Sequence, residues 1–255
     1  MDVIVSAIAF RTGSTLVQRL FNARPATLIW GEHGGIVSEF VKIGVLAKHF
    51  SVHGKAEREA YFASGENPNT WIANMSPDER AVDEAVVAAL RACLKTLYDD
   101  RGMKHDRIGF KEVRYGKAEI ELLKACFPNA VVVLLVRHPA DVWKSETSYW
   151  SDDARRFGET WNARALEYAS LCDPARGIHL VRYEDIAGRE ERTLRLLSEL
   201  ADVPVAALES VLGVNLNSTR AERSGKDIAV IAETCREGMR LFGYASDEIN
   251  PLPRG

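Results

Sequence analysis

Ala130 to Val136 is the most apolar run in the chain, and it is rich in β-branched residues. A run with no polar face fits a strand buried on both sides, in the interior of a sheet. It ends abruptly in Arg137. Val3 to Phe10 is a second short apolar run, closed by Arg11-Thr12-Gly13-Ser14-Thr15 and followed by Leu16, Val17, Leu20 and Phe21 at helical spacing. This reads as strand, short polar loop, helix.

The same alternation continues along the chain. Thr27 to Gly31, Ile108 to Val113 and Ile178 to Tyr183 are strand candidates. Residues 36–63, the stretch from Ser76 to Tyr98, the region around Ile120 to Phe127, and residues 154–171, 189–201 and 228–242 are helix candidates, with a further helix start at Ala140. Ser76-Pro77-Asp78-Glu79 is a capping-box start with serine as the cap. Strands alternating with helices imply an α/β fold with a mostly parallel central sheet and helices on both faces. Ligands of such sheets bind beyond the C-terminal strand ends, which places interest just after Phe10, Gly31, Phe110, Val136 and Val181.

The chain has 255 residues, 46% hydrophobic and 27% charged, enough for one sizeable domain over residues 1–255. A net charge of −3 argues against a nucleic-acid partner. No apolar stretch approaches the about 20 residues of a membrane span, and no basic segment leads into an apolar run at the N-terminus, so the expected location is the cytoplasm. Cys93, Cys126, Cys172 and Cys235 form no C-x-x-C pair and all fall in helix-like stretches. They read as small core residues rather than metal ligands or disulfides.

The loop Arg11 to Thr15 has the parts of an anion cradle. Gly13 permits close backbone approach, N–H groups at the helix start face the ligand, Ser14 and Thr15 add hydroxyls, and Arg11 adds a cation. It lacks the lysine and the length of a Walker A loop. Where a nucleotide triphosphatase wants an acid for Mg²⁺ at the end of a later strand, this chain has Arg137, which favours phosphate over metal. The cradle therefore reads as one for a metal-free anion.

Phe10-Arg11-Thr12-Gly13-Ser14-Thr15-Leu16 resembles the 5′-phosphosulfate loop of sulfotransferases that use 3′-phosphoadenosine 5′-phosphosulfate (PAPS). Val136-Arg137-His138-Pro139-Ala140-Asp141-Val142-Trp143-Lys144-Ser145 resembles the same family's 3′-phosphate signature, an arginine ending a strand with a serine eight residues on. The arginine form of the first loop is closest in style to the tyrosylprotein and carbohydrate branch. Val181-Arg182-Tyr183-Glu184-Asp185, Trp161, and the stretch from Cys235 to Gly243-Tyr244 match further family features in order.

The resemblance implies a P-loop-type three-layer fold and PAPS as co-substrate, with no metal. It implies donor contacts from Arg11, Thr12, Gly13, Ser14, Thr15, Arg137, Ser145 and Tyr183. A late basic stretch, Arg220 to Lys226, stands where the family places a loop over the 3′-phosphate, bringing in Arg223 and Lys226. Glu32, in Gly31-Glu32-His33, is the expected base, with His33 as runner-up. Lys111, with Arg11, is expected to stabilise the transferring sulfuryl group, with a strand-end ion pair as the plain alternative; Arg114 and Glu112 either line the acceptor pocket or pair with each other. The acceptor is expected to be a hydroxyl of a glycan or small molecule, met by the segment 34–74 through Phe40, His49, Phe50, His53, Tyr61, Phe62 and Trp71. A small-molecule kinase using ATP and Mg²⁺ is the alternative, opposed by the missing Walker lysine and by Arg137.

Overall fold

The computed structural model describes residues 1–70, 75–99, 102, 105–145, 153–214 and 224–244. In chain order the elements are β1 (Val3–Ala7), α1 (Ser14–Phe21), β2 (Thr27–Trp30), α2 (Ile36–His53), α3 (Lys55–Ala63), α4 (Glu79–Leu97), β3 (Arg107–Glu112) and α5 (Lys117–Cys126). There follow β4 (Val131–Val136), α6 (Pro139–Lys144), α7 (Ala154–Leu171), β5 (Ile178–Arg182), α8 (Tyr183–Ala187), α9 (Glu191–Ala201), α10 (Val205–Leu212), α11 (Gly225–Thr234) and α12 (Arg236–Leu241). They divide into two compact units: Met1–Gly34, Asp100–Lys117 and Asn129–Gly255 form one, Gly35–Asp99 and Ala118–Pro128 the other.

The first unit holds the sheet. Its five strands lie in the order β2-β3-β1-β4-β5, all parallel. The β-branched run of β4 is interior, as its lack of a polar face requires, while the middle place belongs to β1. Alternation along β1 sorts the two faces. Val3, Val5 and Ala7 pack with Val17, Leu20 and Phe21 of α1, Leu197 of α9 and Leu208 of α10. Ser6 points the other way, and its hydroxyl meets the Tyr168 hydroxyl of α7 at 2.7 Å. Helices therefore cover both faces, and the three-layer α/β expectation holds. The connections that leave the neighbouring strands β1 and β4 run in opposite directions across the sheet, toward β2 and toward β5, which places the crevice for a ligand at the C-terminal end of β1.

Gly109 of β3 lies against β1, and a Cβ there would stand 2.2 Å from the Val3 carbonyl oxygen and 2.8 Å from Ile29 Cδ1. Gly109→Ala should cost about 1–3 kcal/mol by forcing those backbones apart. A thermal melt of the variant should show a clearly lowered midpoint; an unchanged one would mean that the strands part freely.

The second unit is helical. α2 and α4 are joined by the Lys48–Asp83 ion pair at 2.6 Å. Arg91 of α4 donates from Nε to the Cys126 carbonyl at 2.8 Å and from Nη2 to that of Ala125 at 3.2 Å, a cation on the C-terminal end of α5. The aromatic residues expected to meet the acceptor lie here, on α2 and α3: Phe50 and Phe62 are exposed, and His49 and His53 meet edge-on at 4.4 Å. Trp71 falls outside the described residues.

Several local expectations change. The cap of α4 is Asp78, not Ser76: its carboxylate accepts from the Ala81 N–H at 2.8 Å, so the helix starts at Glu79. A carboxylate at that place also complements the helix dipole. The expected helix over 228–242 is two, α11 and α12, separated at Cys235. α10 was not foreseen; its only start signal is Pro204. Cys172 is exposed at the end of α7 rather than in the core, while Cys126 and Cys235 are buried and Cys93 is half-buried. Burial pushes the Cys235 thiol up to about 12, which suits an inert core residue. Among the described residues, no helix is long and apolar enough to cross a membrane.

Candidate active site

The first unit gathers the predicted residues at the C-terminal ends of its strands. After β1 the chain turns sharply, with Arg11 (φ 63°) and Gly13 (φ 100°) both left-handed. Gly13 is the residue before α1. A Cβ on Gly13 would lie 2.3 Å from Tyr183 Cδ2, so backbone and aromatic ring touch here as only glycine allows. The Thr12 hydroxyl is buried and donates to the Ala9 carbonyl at 2.7 Å, so it braces the loop from within. Leu16 N–H closes the turn onto the Gly13 carbonyl at 2.9 Å. The N–H groups of Gly13, Ser14 and Thr15 precede the first intrahelical bond and remain available to an anion.

The loop after β4 locks onto this turn. Arg137 Nη1 donates to the Arg11 carbonyl at 2.9 Å. Arg11 Nε in turn donates to the Ser145 carbonyl at 2.9 Å. The Arg137 guanidinium lies over the Tyr183 ring at 4.4 Å, a favourable cation–π arrangement. Its Nε is buried with no hydrogen-bond partner among the described residues. A buried guanidinium N–H without an acceptor is costly, and none of the described residues offsets that cost. The chain thus brings three features together: the free N–H groups of Gly13 to Thr15, the Arg137 guanidinium, and the Tyr183 ring, which meets both.

Ser145 stands near the same turn. It is buried at the C-terminal end of α6, and its hydroxyl donates to the Asp141 carbonyl at 2.5 Å. Its carbonyl, rather than its hydroxyl, reaches the Arg11 side chain. Lys226 is exposed in the first turn of α11, which Ser224 caps by accepting from the Asp227 N–H at 3.1 Å. Residues 224–226 are thus a helix start rather than a loop, and no bond among the described residues joins Lys226 to Arg137. Arg223 lies outside the described residues.

Four charged groups stand at the ends of β2 and β3. Lys111 Nζ is 2.5 Å from Glu32 Oε1. Arg114 Nη1 is 2.6 Å from Glu112 Oε1 and 3.5 Å from Glu32 Oε2, with its guanidinium over the Phe10 ring at 4.9 Å. Both pairings that the sequence left open are therefore made. Glu112 is fully buried and also accepts from the Val113 N–H at 2.9 Å and the His33 N–H at 3.3 Å. That satisfies a charge which would otherwise be costly to bury. His33 is edge-on to Phe110 at 4.8 Å, and its Nε2 is 3.1 Å from the Tyr115 hydroxyl. Burial is the main cause that holds the imidazole below its usual pKa, opposed by the charge of Glu112. The neutral ring is thereby favoured.

The sequence did not single out Tyr115, nor the bracing role of Glu112. The second had a signal. Phe110 and Glu112 are two apart on one strand and so share a face, which put a carboxylate where a core residue belongs.

The family model described as the sulfotransferase family matches residues 5–207. The chain belongs to the sulfotransferase family. No curated protein matches it. Among solved structures, the sulfotransferase is similar to the sulfotransferase domain of the olefin synthase from Synechococcus PCC 7002, with 14% identity, a TM-score of 0.49, and 96% of this chain and 95% of that chain covered. It is also similar to a sulfotransferase from Mycobacterium tuberculosis, with 15% identity, a TM-score of 0.48, and 96% and 76% covered.

Proposed function

We propose that this sulfotransferase moves a sulfuryl group from PAPS to a hydroxyl of a glycan or small molecule, without a metal, and that residues 1–255 act as one domain in doing so. The observation that carries the donor assignment is Arg137. Its Nε has no hydrogen-bond partner among the described residues and its guanidinium lies over the Tyr183 ring at 4.4 Å, which supports a cation held beside an aromatic surface for a second phosphate next to a purine. Gly13, Ser14 and Thr15 receive the phosphosulfate on their N–H groups, with Arg11 as added cation. Ser145 supports this grip through the carbonyl that holds Arg11, with Thr12 as the internal brace. Arg223 and Lys226 belong to this proposal as outer contacts to the 3′-phosphate.

The donor supplies an activated sulfuryl group and a nucleotide leaving group. Transfer forms a bond from the acceptor oxygen to sulfur and breaks the bond from sulfur to the oxygen bridging it to phosphorus, which leaves on the nucleotide. Glu32 takes the acceptor proton. Lys111, held beside Glu32, meets charge on the sulfuryl oxygens together with Arg11. Arg114, bound to buried Glu112, limits the freedom of Glu32 from its other side. His33 is the second candidate base, kept neutral by burial and so able to accept a proton.

The test is direct. The purified protein, treated with a metal chelator, should bind 3′-phosphoadenosine 5′-phosphate (PAP) and show a raised melting temperature. It should also transfer labelled sulfate from PAPS to a component of an acceptor extract. No thermal shift with PAP, or transfer of phosphate from ATP instead, would overturn the reading.

A further inference from the structure

The last described residues are packed behind the cradle. After α12, Gly243 adopts φ 69° and turns the chain, and Tyr244 enters the first unit with 7% exposure. Its hydroxyl donates to Glu184 Oε2 at 2.8 Å. Glu184 Oε1 accepts from the His138 N–H, also at 2.8 Å. The Tyr244 ring is edge-on to His138 at 5.2 Å and lies under the Arg182 guanidinium at 4.8 Å. Arg182 Nη1 donates to the Phe242 carbonyl at 3.1 Å, and its Nε is 3.5 Å from Asp185. Burial, and then the charge of Glu184, raise the Tyr244 pKa above that of an ordinary phenol, so the hydroxyl remains a donor.

The neighbours in sequence give this cluster its meaning. His138 follows Arg137, and Glu184 follows Tyr183. One carboxylate thus ties the end of β4, the end of β5 and the tail together. Tyr183 cannot shift alone, since its ring touches Gly13 on one side and carries the Arg137 guanidinium on the other. A displacement of the segment 183–184 would disturb the phosphosulfate loop and the second phosphate anchor at once.

We propose that Tyr244 is a positioning residue for the donor site: through its bond to Glu184 it holds Tyr183 and Arg137 in binding geometry. The proposal rests on PAPS being the donor, and it is tested by binding alone, with no acceptor needed. PAP affinity is measured by calorimetry for the unaltered protein, Tyr244→Phe, Tyr183→Leu and the double variant, with a melt recorded for each.

Tyr244→Phe deletes one hydroxyl from a charged acceptor and should weaken PAP binding about tenfold. In the Tyr183→Leu background the same change should cost distinctly less, because the route through Tyr183 is gone and only the one through His138 and Arg137 remains. Glu184→Gln, which keeps the shape but not the charge, should behave like Tyr244→Phe and replaces it in the cycle if Tyr244→Phe fails to fold. Unchanged affinity in Tyr244→Phe, or the same loss in both backgrounds, would overturn the proposal: the first denies any effect, and the second makes it a general loss of stability. Failure of the unaltered protein to bind PAP would overturn the donor reading and this inference with it.

Discussion

Glu32→Gln should lower turnover by about 10²–10⁴-fold while leaving PAP affinity within about twofold. Glutamine keeps the volume and one acceptor oxygen but cannot take a proton. It also breaks the Lys111 ion pair at 2.5 Å, and the residues proposed to grip the nucleotide, Gly13 to Thr15 and Arg137, make no bond to that pair among the described residues. The measurement is the rate of label transfer from PAPS at saturating donor, beside calorimetry with PAP. His33→Ala, made in parallel, assigns the proton. If Glu32 is the base, the histidine variant retains most of its turnover; if the histidine variant collapses and Glu32→Gln does not, the base is His33.

Arg137→Ala should cut PAP affinity by about 10²–10³-fold, the usual result of removing one partner from a desolvated, charge-assisted pair. The loss should be much smaller for adenosine 5′-monophosphate, which has no 3′-phosphate. That contrast separates recognition from damage. Damage is expected to be modest, because among the described residues the side chain makes one hydrogen bond, to the Arg11 carbonyl, plus its contact with Tyr183. Equal weakening of both nucleotides would show that Arg137 supports the cradle without reading the second phosphate.

Much of this was legible in the sequence because strands and their terminal loops are local patterns. The β-branched run ending in Arg137, and the apolar run ending in Arg11 to Thr15, each predicted a strand, and the parallel sheet brought their ends together. The partners of those residues were less legible, since they depend on which oxygen a rotamer reaches. Ser145 was named for its place eight residues after Arg137, and that spacing did not foretell that its hydroxyl bonds back to Asp141 within its own helix, a common choice for serine there. Glu112 was read without its burial, although its register beside Phe110 made it a buried residue. Tyr244 and Glu184 are 60 residues apart, and no periodicity reports a contact of that range. The helix break at Cys235 was hidden because apolar spacing continues through it.

The two bonds that join the nucleotide-binding loops are not symmetric. Arg137 is held by a main-chain oxygen of Arg11, which survives any substitution at that position. Arg11 is held by a main-chain oxygen of Ser145, which likewise survives changes to the serine side chain. Tolerance therefore runs in one direction. The second anchor can outlast the loss of the first arginine's side chain, whereas removing Arg137 also takes away the tether on the turn that carries Arg11. Position 11 can therefore change its side chain without releasing Arg137, whereas position 137 has no such latitude.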